Sequence, residues 1–147
     1  MSGKKLVAID GSPEAYNALV WVIEQAKEKE KVYAVYVISP AKYATIEGAA
    51  GYEGIQTLAE IRERIVQEDR DQVTTRVKEL SADRNVEVDL IVRTGDPRSV
   101  ILDTADEIGA DLLAVGSTGK GLGARLLLGS VSTYIMTHAK ITTVVVR

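Results

Sequence analysis

Between Gly116 and Ser130 the chain carries Gly116-Ser117-Thr118-Gly119, then Gly121 and Gly123, then Gly129-Ser130. Glycine has no side chain to obstruct a ligand and tolerates positive φ, so consecutive main-chain N–H groups in such a stretch can converge on an anion. A helix starting near Ser130 would add the unpaired N–H groups and the positive dipole end of its first turn. The chemistry these residues suit is the holding of phosphate. A second cluster, Asp10-Gly11-Ser12-Pro13, has the composition of a strand-to-helix turn with a carboxylate at its mouth, Ser12 as cap and Pro13 as first helical residue. Lys120 and Arg125, inside the glycine stretch, read as solvated basic side chains.

Other chemistries are excluded by what the chain lacks. It has no cysteine, so disulfides, thiolate metal sites and cysteine nucleophiles are ruled out. His138 is its one histidine, which leaves hydrolytic triads and two-histidine metal sites without their usual member. A formal charge of −3, with Lys and Arg dispersed, advertises no basic surface for nucleic acid. No GxxxxGK[ST] loop is present, because Lys120 is followed by Gly121. Gly119-Lys120-Gly121 with Ala124 is a loose match to a dinucleotide fingerprint, but no acidic residue follows at the required distance. Nothing near the loop supplies an obvious general base, so any hydrolysis of a bound phosphate is expected to be slow.

The elements that must position these residues follow from apolar periodicity. Leu6–Ile9, Val32–Ile38, Val86–Val92, Leu112–Val115 and Thr142–Val146 read as strands. Ala15, Ala18, Leu19, Val22, Ile23 and Ala26 share one face of a helix starting at Pro13. From about Ile55 to Leu80 a long charged helix keeps Leu58, Ile61, Ile65, Val73, Val77 and Leu80 near helical spacing, with Asp69 in the gap. Asp96 caps a helix that begins at Pro97, carries Val100, Ile101, Ala105 and Ile108, and stops near Gly109. Val131, Ile135, Met136 and Ala139 mark a last helix from about Ser130. The segment Ser39–Gly54 shows no period and reads as a mobile loop, with Tyr43 and Tyr52 able to close over a ligand.

Strands alternating with helices predict a single α/β domain over residues 1–147, an open parallel five-stranded sheet with helices on both faces. In such sheets ligands bind outside the carboxyl ends of the strands, where both the Asp10 turn and the glycine stretch fall. The apolar runs are far below the roughly 18 residues needed to cross a bilayer. With no membrane span and no secretion signal after Lys4-Lys5, a cytoplasmic location is expected.

Gly116, two residues, Gly119, nine residues and Gly129-Ser130 reproduce a spacing that resembles the ATP-binding pattern of the universal stress protein family. The resemblance runs from Val7-Ala8-Ile9-Asp10-Gly11-Ser12 through Leu127-Leu128-Gly129-Ser130-Val131-Ser132 to Val144-Val145-Val146. It implies a Rossmann-like sheet in strand order 3-2-1-4-5. It also implies phosphates on Gly116, Gly119, Gly129, Ser130 and Val131, the adenosine part at Asp10, and adenine at the Val37 backbone. ATP is the implied ligand, with ADP or AMP as alternatives and Mg²⁺ or Mn²⁺ on the phosphates. Many relatives have proline between the last helix and last strand, where this chain reads His138-Ala139-Lys140-Ile141-Thr142-Thr143.

The resulting expectation is a stress-response regulator whose nucleotide biases the glycine loop and the Ser39–Gly54 segment. An apolar last strand at a sheet edge invites pairing, so a homodimer through Thr142–Val146 is expected, with a downstream protein partner that the residues do not identify. Two alternatives stand beside it. One is an adenine-nucleotide hydrolase-type enzyme that hydrolyses ATP weakly or activates a substrate through it, although the SGGxDS loop of the pyrophosphatase branch is absent. The other is an interaction module with a vestigial nucleotide site.

Overall fold

A computed structural model of the chain describes residues 3–49, 55–117 and 128–147. Its strands are β1 (Lys4–Ile9), β2 (Lys31–Ile38), β3 (Val88–Thr94), β4 (Leu112–Gly116) and β5 (Thr142–Val146). Its helices are α1 (Pro13–Gln25), α2 (Pro40–Ala49), α3 (Ile55–Arg84), α4 (Pro97–Ile108) and α5 (Ser130–His138). All strand pairs are parallel, in the order β3-β2-β1-β4-β5. This is the order implied by the family resemblance.

Alternate residues of each strand feed two cores. Val7, Ile9, Ala34 and Tyr36 pack with α1 and with Val73, Val77 and Leu80 of α3. Leu6, Val35, Leu113 and Val115 face the other way, toward Ile101 and Ala105 of α4 and Ile135 of α5. The period-two alternation of a strand buried on both faces accounts for this division. Ala15, Ala18, Leu19, Val22 and Ile23 are the buried face of α1, as its spacing predicts. Gly109 adopts φ 70 and ends α4 in the left-handed conformation that glycine accommodates without cost.

Two expectations need correction. The segment Ser39–Gly54 is not a loop throughout, because Pro40 opens α2. Proline at a first helical position gives up an N–H that would have no helical partner there. Without an apolar stripe the helix leaves no periodic signal, and its buried attachment in the first turn is Tyr43. The apolar face of α3 is also not continuous, since Ile61 is 37% exposed. At 30 residues α3 is about 45 Å long, roughly twice the ~23 Å of the seven-residue β3. Val73, Val77 and Leu80 in its C-terminal half cover the sheet, and it also packs with α2.

Candidate functional site

At the end of β1 the chain turns through Gly11, whose φ of 84 suits glycine. The Asp10 carboxylate Oδ1 accepts the Ser12 N–H at 2.9 Å and the Ser12 hydroxyl at 2.5 Å. Ser12 Oγ in turn accepts the Ala15 N–H at 3.2 Å, capping α1. Ser12 is 1% exposed, so a buried hydroxyl ties the helix start to the carboxylate and fixes the orientation of Asp10 at the exposed mouth of the turn.

At the end of β4, Gly116 lies against the first turn of α1. A Cβ there would fall 2.8 Å from Ala15 N and 2.8 Å from the Glu14 carbonyl carbon. Main-chain packing therefore requires glycine at this position, independently of any ligand. Ser117 N–H donates to Val146 O at 2.8 Å, and Gly129 N–H donates to Ser117 O at 2.8 Å. Ser132 Oγ donates to Gly116 O at 2.5 Å. These bonds fasten the start of α5 to the end of β4, so Ser117 and Gly129 lie side by side. Gly119 lies in that stretch, outside the described residues, as do Lys120 and Arg125.

Gly129 is the N-cap of α5, with φ −66 and ψ 162, and makes no side-chain cap bond. Ser130 is thus the first helical residue. The helix geometry leaves the N–H groups of Ser130, Val131 and Ser132 without intrahelical acceptors. Ser130 is exposed and Val131 half-buried. Gly129 is buried and its own N–H is committed to Ser117.

Val37 stands on β2 one residue past Tyr36, which pairs with Ile9 on the last rung of β1. It is therefore level with Asp10 and still paired with Arg93 on its other side. Asp10, Val37, Gly116 and the start of α5 thus come together along the carboxyl edge of β2, β1 and β4. The α1 helix lies on one face here and α4 and α5 lie on the other, which makes this the switch point at which open parallel sheets form a crevice.

One side of the crevice was not foreseen from the residues. Asp10, Gly11, Tyr16, Tyr36, Lys42, Asp69, Gln72 and Val73 line a polar cavity of about 30 Å³, space for roughly two waters. Tyr43 donates to Asp69 Oδ2 at 2.8 Å, and the Tyr36 hydroxyl neighbours the Tyr43 hydroxyl. Burial, the neighbouring Tyr36 hydroxyl and the hydrogen bond to the Asp69 carboxylate push the Tyr43 hydroxyl far above the ordinary tyrosine value. Burial also raises Tyr16 and Tyr36, so all three phenols stay protonated. The signal in the sequence is Asp69, a carboxylate at the four-residue step from Ile65 to Val73 where the stripe calls for an apolar side chain. Among the described residues, no group of three or more His, Cys, Asp or Glu is placed to hold a metal ion. No described helix is long and apolar enough to cross a membrane.

The sequence matches the model of the universal stress protein family over residues 1–147. The chain belongs to this family. It is 32% identical over 134 residues to universal stress protein YxiE of Bacillus subtilis, covering 90% of each chain. This universal stress protein also superposes on the solved structure of hypothetical protein MJ0577 with a TM-score of 0.77 at 27% identity, covering 99% of this chain and 96% of that one. Two more distant solved structures share the fold. One is an Arabidopsis thaliana universal stress protein with AMP bound, at TM-score 0.67 and 18% identity, covering 97% of this chain and 90% of that one. The other is a universal stress protein in complex with cAMP, at TM-score 0.59 and 23% identity, covering 98% and 95%.

Proposed function

We propose that this universal stress protein binds an adenine nucleotide, ATP above all, in the crevice at the carboxyl ends of β1, β2 and β4, and acts as a cytoplasmic regulator whose state follows occupancy. The observation that carries this reading is the bare start of α5. An N-cap without a side-chain bond leaves first-turn N–H groups facing the end of β4, level with a fixed carboxylate. Such a helix start favours phosphate through its donors and its dipole. The Ser130 and Val131 N–H groups hold phosphate oxygens, with Gly116 and Gly129 setting the close main-chain packing that positions them and Gly119 leaving room for close approach. Asp10 and the Val37 backbone take the adenosine half, which ADP and AMP share. Proteins of the same fold that hold AMP and cAMP support an adenine ligand. Mg²⁺ or Mn²⁺ would ride on the phosphates, since both take oxygen ligands. Strand β5 ends the sheet order, and its outer edge would pair two copies about a twofold axis.

Ser130→Pro tests the donor role. Proline is favoured at a first helical position, and Gly129 already has the extended backbone required before proline, so the variant loses the N–H and hydroxyl while keeping the helix. Losing a hydrogen bond to a charged oxygen costs about 1.5–3 kcal/mol, or about tenfold or more in ATP affinity by calorimetry. Ser130→Ala, which keeps the N–H, separates out the hydroxyl. A folded Ser130→Pro protein that binds Mg·ATP as tightly as the parent would overturn the site.

A further inference from the structure

Asp69 interrupts the apolar stripe of α3 on the face turned toward the sheet, and two side chains of α2 reach it. The Tyr43 hydroxyl donates to Oδ2 at 2.8 Å, and the Lys42 ammonium lies 3.8 Å from the same oxygen. Around Tyr43 the first turn of α2 is exposed at Pro40, Ala41, Lys42 and Ala44, whereas Tyr43 itself is 4% exposed. A helix of ten residues is below the length at which isolated helices hold together in water. The order of α2 therefore depends on its docking, and in its first turn that docking is one phenol inserted against one carboxylate.

The same carboxylate faces the nucleotide crevice. Asp69, Lys42, Tyr36 and Gln72 line one cavity with Asp10 and Gly11. The Tyr36 hydroxyl, on the residue preceding Val37, neighbours the Tyr43 hydroxyl. A group arriving at Asp10 thus meets the wall that α2 closes.

We propose that Tyr43 and Asp69 form a latch fastening α2 beside the Asp10 end of the crevice, and that nucleotide binding and closure of this latch stabilise one another. This rests on the assignment of the adenosine half to Asp10. By linkage, whatever factor the nucleotide adds to latch closure, the closed latch adds to nucleotide affinity. Tyr43 and Asp69 act as positioning residues, because neither belongs to the proposed phosphate or adenosine contacts.

Hydrogen exchange of the full chain with and without saturating Mg·ATP tests the coupling. In the parent protein ATP should slow exchange across α2. Tyr43→Phe keeps the ring and removes the donor, and Asp69→Asn removes the charge. Each should speed α2 exchange without nucleotide and weaken ATP binding roughly fivefold or more. Val77→Ala, which thins the core under α3, is the control for general destabilisation and should leave the response of α2 to ATP in place. ATP that binds the parent but leaves α2 exchange unchanged, or Tyr43→Phe binding ATP as the parent does, overturns the latch alone. A parent protein that binds no ATP overturns the nucleotide site and the latch together.

Discussion

Gly116→Ala separates a packing requirement from a ligand contact. The added Cβ would sit 2.8 Å from Ala15 N and from the Glu14 carbonyl carbon, and 2.9 Å from Glu14 Cβ. Heavy atoms rest in contact near 3.5 Å, so the end of β4 and the first turn of α1 would have to part by roughly 0.7 Å. Two of the three obstructing atoms are main chain and cannot rotate away. They also belong to the turn capped by Ser12 and packed on the core through Ala15. Overpacking of this kind costs about 1–3 kcal/mol, and clashes with backbone belong to the middle of that range or above. For a chain of this size 2 kcal/mol corresponds to a fall in Tm of about 4–8 °C, read by thermal unfolding followed by circular dichroism without nucleotide. Gly109→Ala serves as a contrast, because nothing lies within 4 Å of its added Cβ and the cost there is backbone strain at φ 70. A Gly116→Ala protein melting within about 1 °C of the parent would refute the close approach of β4 to α1. Its glycine would then have to be explained by ligand access alone.

Ser12→Ala removes the cap of α1 and the hydroxyl donor to Asp10, while the main-chain N–H at position 12 still reaches the carboxylate. It should cost about 1–2 kcal/mol, measured as a lowered urea midpoint at unchanged m, and an unchanged midpoint would deny the cap its role. Glu30 accepts the Lys27 N–H at 2.7 Å and pairs with Lys5 at 2.9 Å, and these hold its carboxyl below the usual 4.5. Its stabilising contribution is present above pH 4.5 and disappears as pH falls through the depressed value, so Glu30→Gln should show a smaller loss of stability on acidification than the parent. Val145→Pro removes a main-chain donor from β5 and should shift sedimentation toward monomer. A dimer that persists would locate the interface elsewhere.

The two turn clusters illustrate what is legible in the sequence. Ser12-Pro13 and Asp96-Pro97 carry their meaning in adjacent residues, and the structure has both caps in place. The strands and the faces of α1 and α4 are legible for a related reason, since burial of one face leaves a period of two or 3.6 in the residues themselves. Boundaries are less so. β3 begins at Val88 rather than Val86, because Asn85 at φ 53 is still completing the turn out of α3.

What only the tertiary structure decided are contacts between residues far apart in the chain. α2 has no stripe to betray it, because in its first turn it is held by Tyr43 reaching a carboxylate 26 residues later. Gly116 looks from its neighbours like a member of a glycine run, yet the need for glycine comes from the backbone of α1 at Glu14 and Ala15. Gly129, which the family resemblance places on phosphate, is instead the N-cap of α5 with its N–H taken by Ser117. Periodicity records whether a side chain is buried along its own element. Which main chain lies against it is set when the sheet closes in its final strand order, and no local pattern carries that information.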